Sequence, residues 1–94
     1  MDQPYWVYVL YSDGADRFYV GSSDDPDRRL KSHNAGMSRW TARHMPWRIV
    51  YRQRFPDITQ ARQFENRLKR QRGGGGFFVL TGLDPGEFGP QQGS

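Results

Sequence analysis

Cysteine is absent from this sequence. That removes disulfides, thiolate metal ligands and cysteine nucleophiles together, and it fits a reducing, cytoplasmic setting. No apolar run approaches the roughly 20 residues that cross a bilayer, and the polar N-terminus lacks the hydrophobic segment of a secretory leader. The expectation is a soluble protein with no membrane partner. Glutamate occurs twice, as Glu65 and Glu87, so the paired carboxylates of a two-metal centre are missing and at most one metal ion is expected. Lysine also occurs twice, so twelve of the fourteen cations are arginine.

What is present is charge of one sign in one place. Between Arg28 and Arg72 thirteen basic residues face only Asp57 and Glu65, a net +11, whereas residues 1–27 carry Arg17 against six aspartates, a net −5. The guanidinium fork matches phosphate oxygens in pairs, which an ammonium cannot do. A block of this kind containing Trp40 and Trp47 points to nucleic acid as the partner; the alternative is a solvated basic surface without a ligand. Ninety-four residues hold one core and no second domain. Aromatic residues, 15% of the chain, must supply much of that core.

Trp6 to Tyr11 is a run of large and β-branched residues and Phe18 to Val20 a shorter one, separated by the turn formers of residues 12–17; the pattern predicts a β-hairpin. Trp6, Tyr8 and Leu10 would face one side of the first strand and Val7, Val9 and Tyr11 the other, as in a central strand covered on both faces. Asp25-Pro26-Asp27 has the chemistry of a helix start, and that helix should run to about Asn34 and stop at Gly36. Residues 37–45 read as a polar loop. Trp47 to Arg54 alternates as a third strand, with Trp47, Ile49 and Tyr51 on one face. A second helix follows, from Asp57 or Thr59 to about Arg72, with Ala61, Phe64 and Leu68 on its apolar stripe and Ile58 extending it. Gly73–Gly76 should end it and serve as a flexible hinge; it lacks the lysine and hydroxyl of a phosphate-binding loop. Phe77 to Leu80 is read as a short helix in preference to a strand. The domain is placed at residues 1–83, with 84–94 a loose tail. The order β-β-α-β-α implies a small α+β fold.

Glu65 is the one glutamate inside the basic block, and on its helix it borders the buried stripe. There it can face a cleft and hold one hard divalent cation, or form an i to i+4 ion pair with Lys69 on a solvated face. Tyr8 and Tyr19 lie in strands that the hairpin could place side by side. They can position a water or take its proton, or serve only as packing. Arg29 and His33, four residues apart, share a helix face and can grip phosphate and carry a proton, or simply face solvent.

Taken together, Val7-Tyr8 in the first strand, Tyr19-Val20-Gly21 in the second, Arg29 ten residues after Tyr19, then His33 and Glu65, resemble the GIY-YIG nuclease family. Residues 25–34 and the stretch Pro46 to Tyr51 are most similar to its small stand-alone bacterial branch, which resembles the nuclease domain of the excinuclease. The likeness covers residues 5–72. It implies a three-stranded antiparallel sheet flanked by helices and a single Mg²⁺ or Mn²⁺ at Glu65. It also implies Arg29 as the phosphate clamp, Tyr8 and Tyr19 at the water, His33 assisting, and Gly21 as a tight-packing position. Two departures stand out. Trp6 replaces the first glycine of the motif. Ser22 stands where some excinuclease-type members carry a lysine, a cation that is either lost or supplied by Arg28 or Arg29.

The function these expectations converge on is metal-dependent cleavage of phosphodiester bonds in DNA, in branched, nicked or damaged structures, with Arg28, Arg39, Arg43, Arg62 and Lys69 on the backbone phosphates. The alternatives are a non-catalytic nucleic-acid-binding module with the same fold and a protein-interaction domain. Trp40 would stack on an unpaired base or pack beneath its loop, and so small a domain leaves room for a homodimer or a protein partner.

Overall fold

The computed structural model describes residues 4–37, 39–71 and 75–88; the side chain of Trp40 lies outside that description, as do Arg72, Gly73 and Gly74. The chain folds as β1 (Tyr5–Ser12), β2 (Arg17–Ser23), α1 (Pro26–Asn34), α2 (Arg39–Ala42), β3 (Arg48–Phe55), α3 (Ile58–Gln71) and α4 (Gly75–Thr81). The sheet is antiparallel in the order β2-β1-β3, and the fold is α+β with helices on both sides.

The hairpin closes because Asp16 takes a positive φ of 54°, which a short polar side chain tolerates. Its carboxylate accepts the Tyr11 hydroxyl at 2.6 Å, and the Ser12 carbonyl accepts its N–H at 2.8 Å. Strand β1 becomes the central strand, as its two apolar faces require. Val7, Val9 and Tyr11 pack with Phe18, Val20, Ala61, Leu68 and Phe77 beneath α3 and α4. On the other face Tyr8 and Leu10 pack with Trp47, Tyr19, Leu30 and Ile49 beneath α1.

The alternation expected for β3 fails at one point. Val9 pairs with Tyr51 but Leu10 pairs with Ile49, so Val50 is an extra residue and the strand bulges there. A one-residue insertion sends everything beyond it to the opposite face. Ile49 and Trp47 stay with the α1 side, and Tyr51 joins the core under α3 and α4.

Asp25 caps α1 through its carboxylate, which accepts the Arg28 N–H at 3.1 Å, with Pro26 in the first turn, and Gly36 follows the helix at φ 78°. The last residue of α1 also ties the helix to the sheet. The Asn34 amide donates to the Trp47 carbonyl at 3.0 Å, and its oxygen accepts the Trp47 N–H at 2.7 Å, as a neighbouring strand would. Asn34→Ala is therefore expected to cost about 1–2 kcal/mol, two partly solvated hydrogen bonds, measured as a lowered urea midpoint with unchanged slope. A midpoint identical to wild type would mean the clamp contributes nothing.

Residues 37–45 are not simply a loop, since Arg39–Ala42 form the single helical turn α2. So short a helix has no stability of its own. It is held by Thr41, whose side chain is buried against His33 and whose carbonyl accepts the Trp47 indole N–H at 2.8 Å. The glycine run is likewise not a hinge throughout: Gly75 and Gly76 already belong to α4, because Phe77 is drawn into the core against Phe18, ring centroids 5.1 Å apart. Beyond α4, Pro85–Glu87 form a 3₁₀ turn capped by Asp84. Phe88 lies 4.8 Å from the Tyr11 ring and 5.1 Å from that of Phe18. The first part of the segment read as a loose tail is thus packed on the domain; residues 89–94 lie outside the described residues.

Candidate active site

The site is built where β2, an edge strand, runs between α1 and α3. Successive residues of a strand face opposite sides, and here the pair Gly21-Ser22 serves both. Gly21 pairs with Tyr8 across the hairpin, and the Tyr8 ring lies over it so closely that an added Cβ would sit 2.6 Å from the Tyr8 hydroxyl. Ser22 turns to the other side and donates its hydroxyl to Glu65 Oε1 on α3 at 2.6 Å.

Tyr8, 1% exposed, is the centre of a hydrogen-bonded chain. Its hydroxyl lies 3.2 Å from His33 Nε2, and the Arg29 guanidinium is near enough to act on it electrostatically. His33 Nδ1 in turn lies 3.1 Å from Thr41 Oγ1. The Tyr19 ring stands edge-on to His33 with centroids 4.8 Å apart, and 6.5 Å from Tyr8. Burial pushes the Tyr8 pKa above its usual 10, with the Glu65 carboxylate adding a small push, while the positive charge of Arg29 opposes it. In the resting protein Tyr8 is a phenol. Burial also holds His33 below 6.5, helped by the positive charge of Arg29.

A histidine with a depressed pKa binds fewer protons folded than unfolded. Its contribution to stability is complete above about pH 6.5 and is lost as pH falls below that value. The urea midpoint is expected to drop between about pH 7.5 and 5.5, before most carboxylates titrate. A midpoint that holds or rises over this interval would show that His33 is not kept neutral.

Glu65 is turned inward, its side chain 12% exposed, and it also makes the ion pair with Lys69, Oε2 to Nζ at 2.7 Å. The two readings of this residue are therefore not exclusive: the i to i+4 pair forms on a carboxylate that is 12% exposed and also bonded to Ser22, not on an open face. Tyr8, Tyr19, Arg29 and His33 come together on the α1 side, and Glu65 reaches the same strand edge from α3. Among the described residues no three His, Cys, Asp or Glu side chains cluster; Glu65 is a lone carboxylate.

The basic block is partly neutralised by the acidic N-terminal segment. Arg28 pairs with Asp24 at 2.6 Å, Arg48 with Asp13 at 2.9 Å and Arg52 with Asp27 at 3.4 Å. Arg28 is thus tied to the head of its own helix, and Arg29 is the cation that approaches Tyr8. Arg39, Arg43 and Arg62 are exposed and form no ion pair among the described residues, whereas Lys69 is engaged with Glu65.

Sequence reasoning did not find Thr41, which sits in a segment read as loop and carries no motif. Nor did it find that Ser22, noted for the missing lysine, holds the carboxylate. Residues of alternate parity on one strand next to a glycine were the available signal for Ser22; for Thr41 there was none.

Residues 4–75 match the family described as the GIY-YIG catalytic domain. The chain is 37% identical over 91 residues to the structure-specific endonuclease subunit SLX1 of Meyerozyma guilliermondii, covering 82% of this chain and 30% of that protein. It is 41% identical over 69 residues to a UPF0213 protein of Lacticaseibacillus paracasei, 71% of this chain and 75% of that protein. A UPF0213 protein of Streptococcus pneumoniae is 35% identical over 74 residues, 77% and 73% of the two chains. The chain spans under a third of the length of the SLX1 relative and about three quarters of the two UPF0213 relatives.

Proposed function

This chain belongs to the GIY-YIG nuclease family, and on that premise we propose that it is a divalent-metal-dependent endonuclease hydrolysing phosphodiester bonds in DNA, with branched or nicked structures as its substrates. The reading is supported by Tyr8, Arg29 and His33 gathered on one side of the Gly21-Ser22 edge, and by the inward carboxylate of Glu65 bonded to Ser22 on the other. A preference for particular nucleic-acid structures is supported by the printed name of the SLX1 relative, a structure-specific endonuclease subunit.

Glu65 suits one hard cation. Mg²⁺ is commonly held by one or two carboxylates, with water and substrate oxygens completing its shell, and the Ser22 bond fixes this carboxylate in place. Mg²⁺ or Mn²⁺ there would offset the phosphate charge and stabilise the leaving oxygen. Lys69, half-exposed, would leave Oε2 and, with Arg62 on the same face of α3, turn to phosphate.

The chain's own residues handle the proton. A free Tyr8 phenolate is disfavoured by burial, so Tyr8 accepts the proton of the attacking water as it passes its own to the neutral His33 Nε2. Hydroxide attacks phosphorus, the bond to the leaving oxygen breaks, and that oxygen takes a proton from solvent. Arg29, already at the Tyr8 hydroxyl, holds a non-bridging phosphate oxygen. Exposed Arg39, Arg43 and Arg62 meet the backbone, so binding falls steeply with salt.

The test is a labelled flap, nicked duplex and linear duplex incubated with Mg²⁺, Mn²⁺ or EDTA. Product is expected with either ion and none with EDTA. A second reading, the non-catalytic binding module, is favoured by the fact that both Glu65 oxygens already have partners. Retardation of these DNAs that is indifferent to EDTA, without product in any metal, would select it. A partner protein or second copy would then be needed to supply any cleavage.

A further inference from the structure

We propose that Thr41 is a positioning residue for the reaction, its hydroxyl fixing the tautomer of His33 so that Nε2 is left bare to receive the Tyr8 proton. The consequence for rate rests on the nuclease reading above; the tautomer itself is a property of the folded chain.

A single chain of donors leads to this assignment. The positive charge of Arg29 acts on the Tyr8 oxygen, which favours turning the Tyr8 O–H away from it, toward the ring nitrogen 3.2 Å away, His33 Nε2. A neutral imidazole has one N–H. With Nε2 accepting, the proton is on Nδ1, which faces Thr41 Oγ1 at 3.1 Å. Thr41 is 0% exposed and His33 1%, so bulk water does not reach this N–H to replace the hydroxyl, and an unmatched N–H there would be costly. Thr41 is itself held in place, because the buried Trp47 ring donates Nε1–H to the Thr41 carbonyl at 2.8 Å. The same turn, α2, carries the exposed Arg39 on its outer side, with Arg43 just beyond. The segment that faces outward with cations therefore faces inward with the group that orients the base.

Removing the acceptor has a definite consequence. In Thr41→Val an Nδ1–H points at a methyl group, and the ring lowers its energy by moving the proton to Nε2. There it donates to Tyr8 instead of accepting, and Tyr8 has nowhere to pass a proton. Thr41→Ser keeps the acceptor.

The test is the ¹⁵N shifts of the two His33 ring nitrogens, read by NMR at a pH where the ring is neutral, in wild type, T41S and T41V, with DNA affinity and cleavage measured on the same preparations. Expected are Nδ1–H in wild type and T41S, and a shift toward Nε2–H in T41V. Turnover of T41V should fall about 10²-fold, the scale of one proton-transfer group, with KM unchanged, and T41S should stay within a few-fold of wild type. Nε2–H in the wild type overturns the proposal, and that measurement decides it even if T41V does not fold. An unchanged tautomer in folded T41V also overturns it. If the wild type cleaves nothing, the nuclease reading fails while the ring shifts still decide Thr41.

Discussion

Glu65→Gln is expected to reduce cleavage about 10³-fold or more while leaving the fold and DNA binding in place. The substitution keeps the length of the side chain and an amide oxygen for the Ser22 hydroxyl, which now donates to Oε1 at 2.6 Å. It removes the negative charge that an ion would need. A single cation on a reacting phosphate stabilises the transition state by several kcal/mol, and about 4 kcal/mol corresponds to about 10³ in rate. The ion pair with Lys69 is lost too, but Lys69 is half-exposed and such i to i+4 pairs contribute only about 0.3–0.5 kcal/mol. Urea unfolding should move little, and retardation of DNA should hold or tighten, since one negative charge has left a basic face. Cleavage within tenfold of wild type would show that no catalytic ion depends on this carboxylate. A collapse in stability would make Glu65 a structural residue.

Gly21→Ala should damage both stability and activity, for a different reason. The new methyl group would sit 2.6 Å from the Tyr8 oxygen, 2.7 Å from Cζ and 3.2 Å from the Tyr19 ring. Tyr8 is buried under α1 and cannot swing into solvent, so either the ring or the strand must move. Overpacking of this kind costs about 1–3 kcal/mol. Moving the Tyr8 hydroxyl by about 1 Å from His33 and Arg29 should lower cleavage by about 10². Gly14→Ala is the matched control, because nothing lies within 4 Å of its Cβ position, and it should cleave as wild type does. The two variants can be compared by urea midpoint and initial rate on one substrate. Equal behaviour would mean that the Tyr8 ring does not depend on the bare backbone at Gly21.

These two residues show how unevenly the site was legible. The hairpin suggested Tyr8 and Tyr19 as neighbours and the family resemblance suggested close packing at Gly21, but that Tyr8 pairs with Gly21, and Tyr19 with Leu10, is decided by the register of the sheet. Arg29 and His33 followed from helical spacing. Glu65 was ambiguous, because a helix position bordering an apolar stripe can turn either to the sheet or to solvent. Which of the two it does depends on Ser22, forty-three residues earlier, and no local pattern encodes that. The same holds for the bulge at Val50, which sends Tyr51 to the core opposite the one that alternation predicts. It holds also for α2, a turn that exists only because Thr41 and Trp47 are buried together.

Charge shows the divide most clearly. Composition fixes a basic block and an acidic N-terminal segment. It does not fix that Asp13, Asp24 and Asp27 lie against Arg48, Arg28 and Arg52, leaving Arg39, Arg43 and Arg62 outward. Periodicity, capping residues and turn chemistry are short-range interactions, each written within about ten residues, so they determined the strands, the two long helices and the α+β class from the sequence alone. The carboxylate's orientation, the histidine's second partner and the surviving cations are contacts between segments far apart in the chain, and only the packed structure decides them.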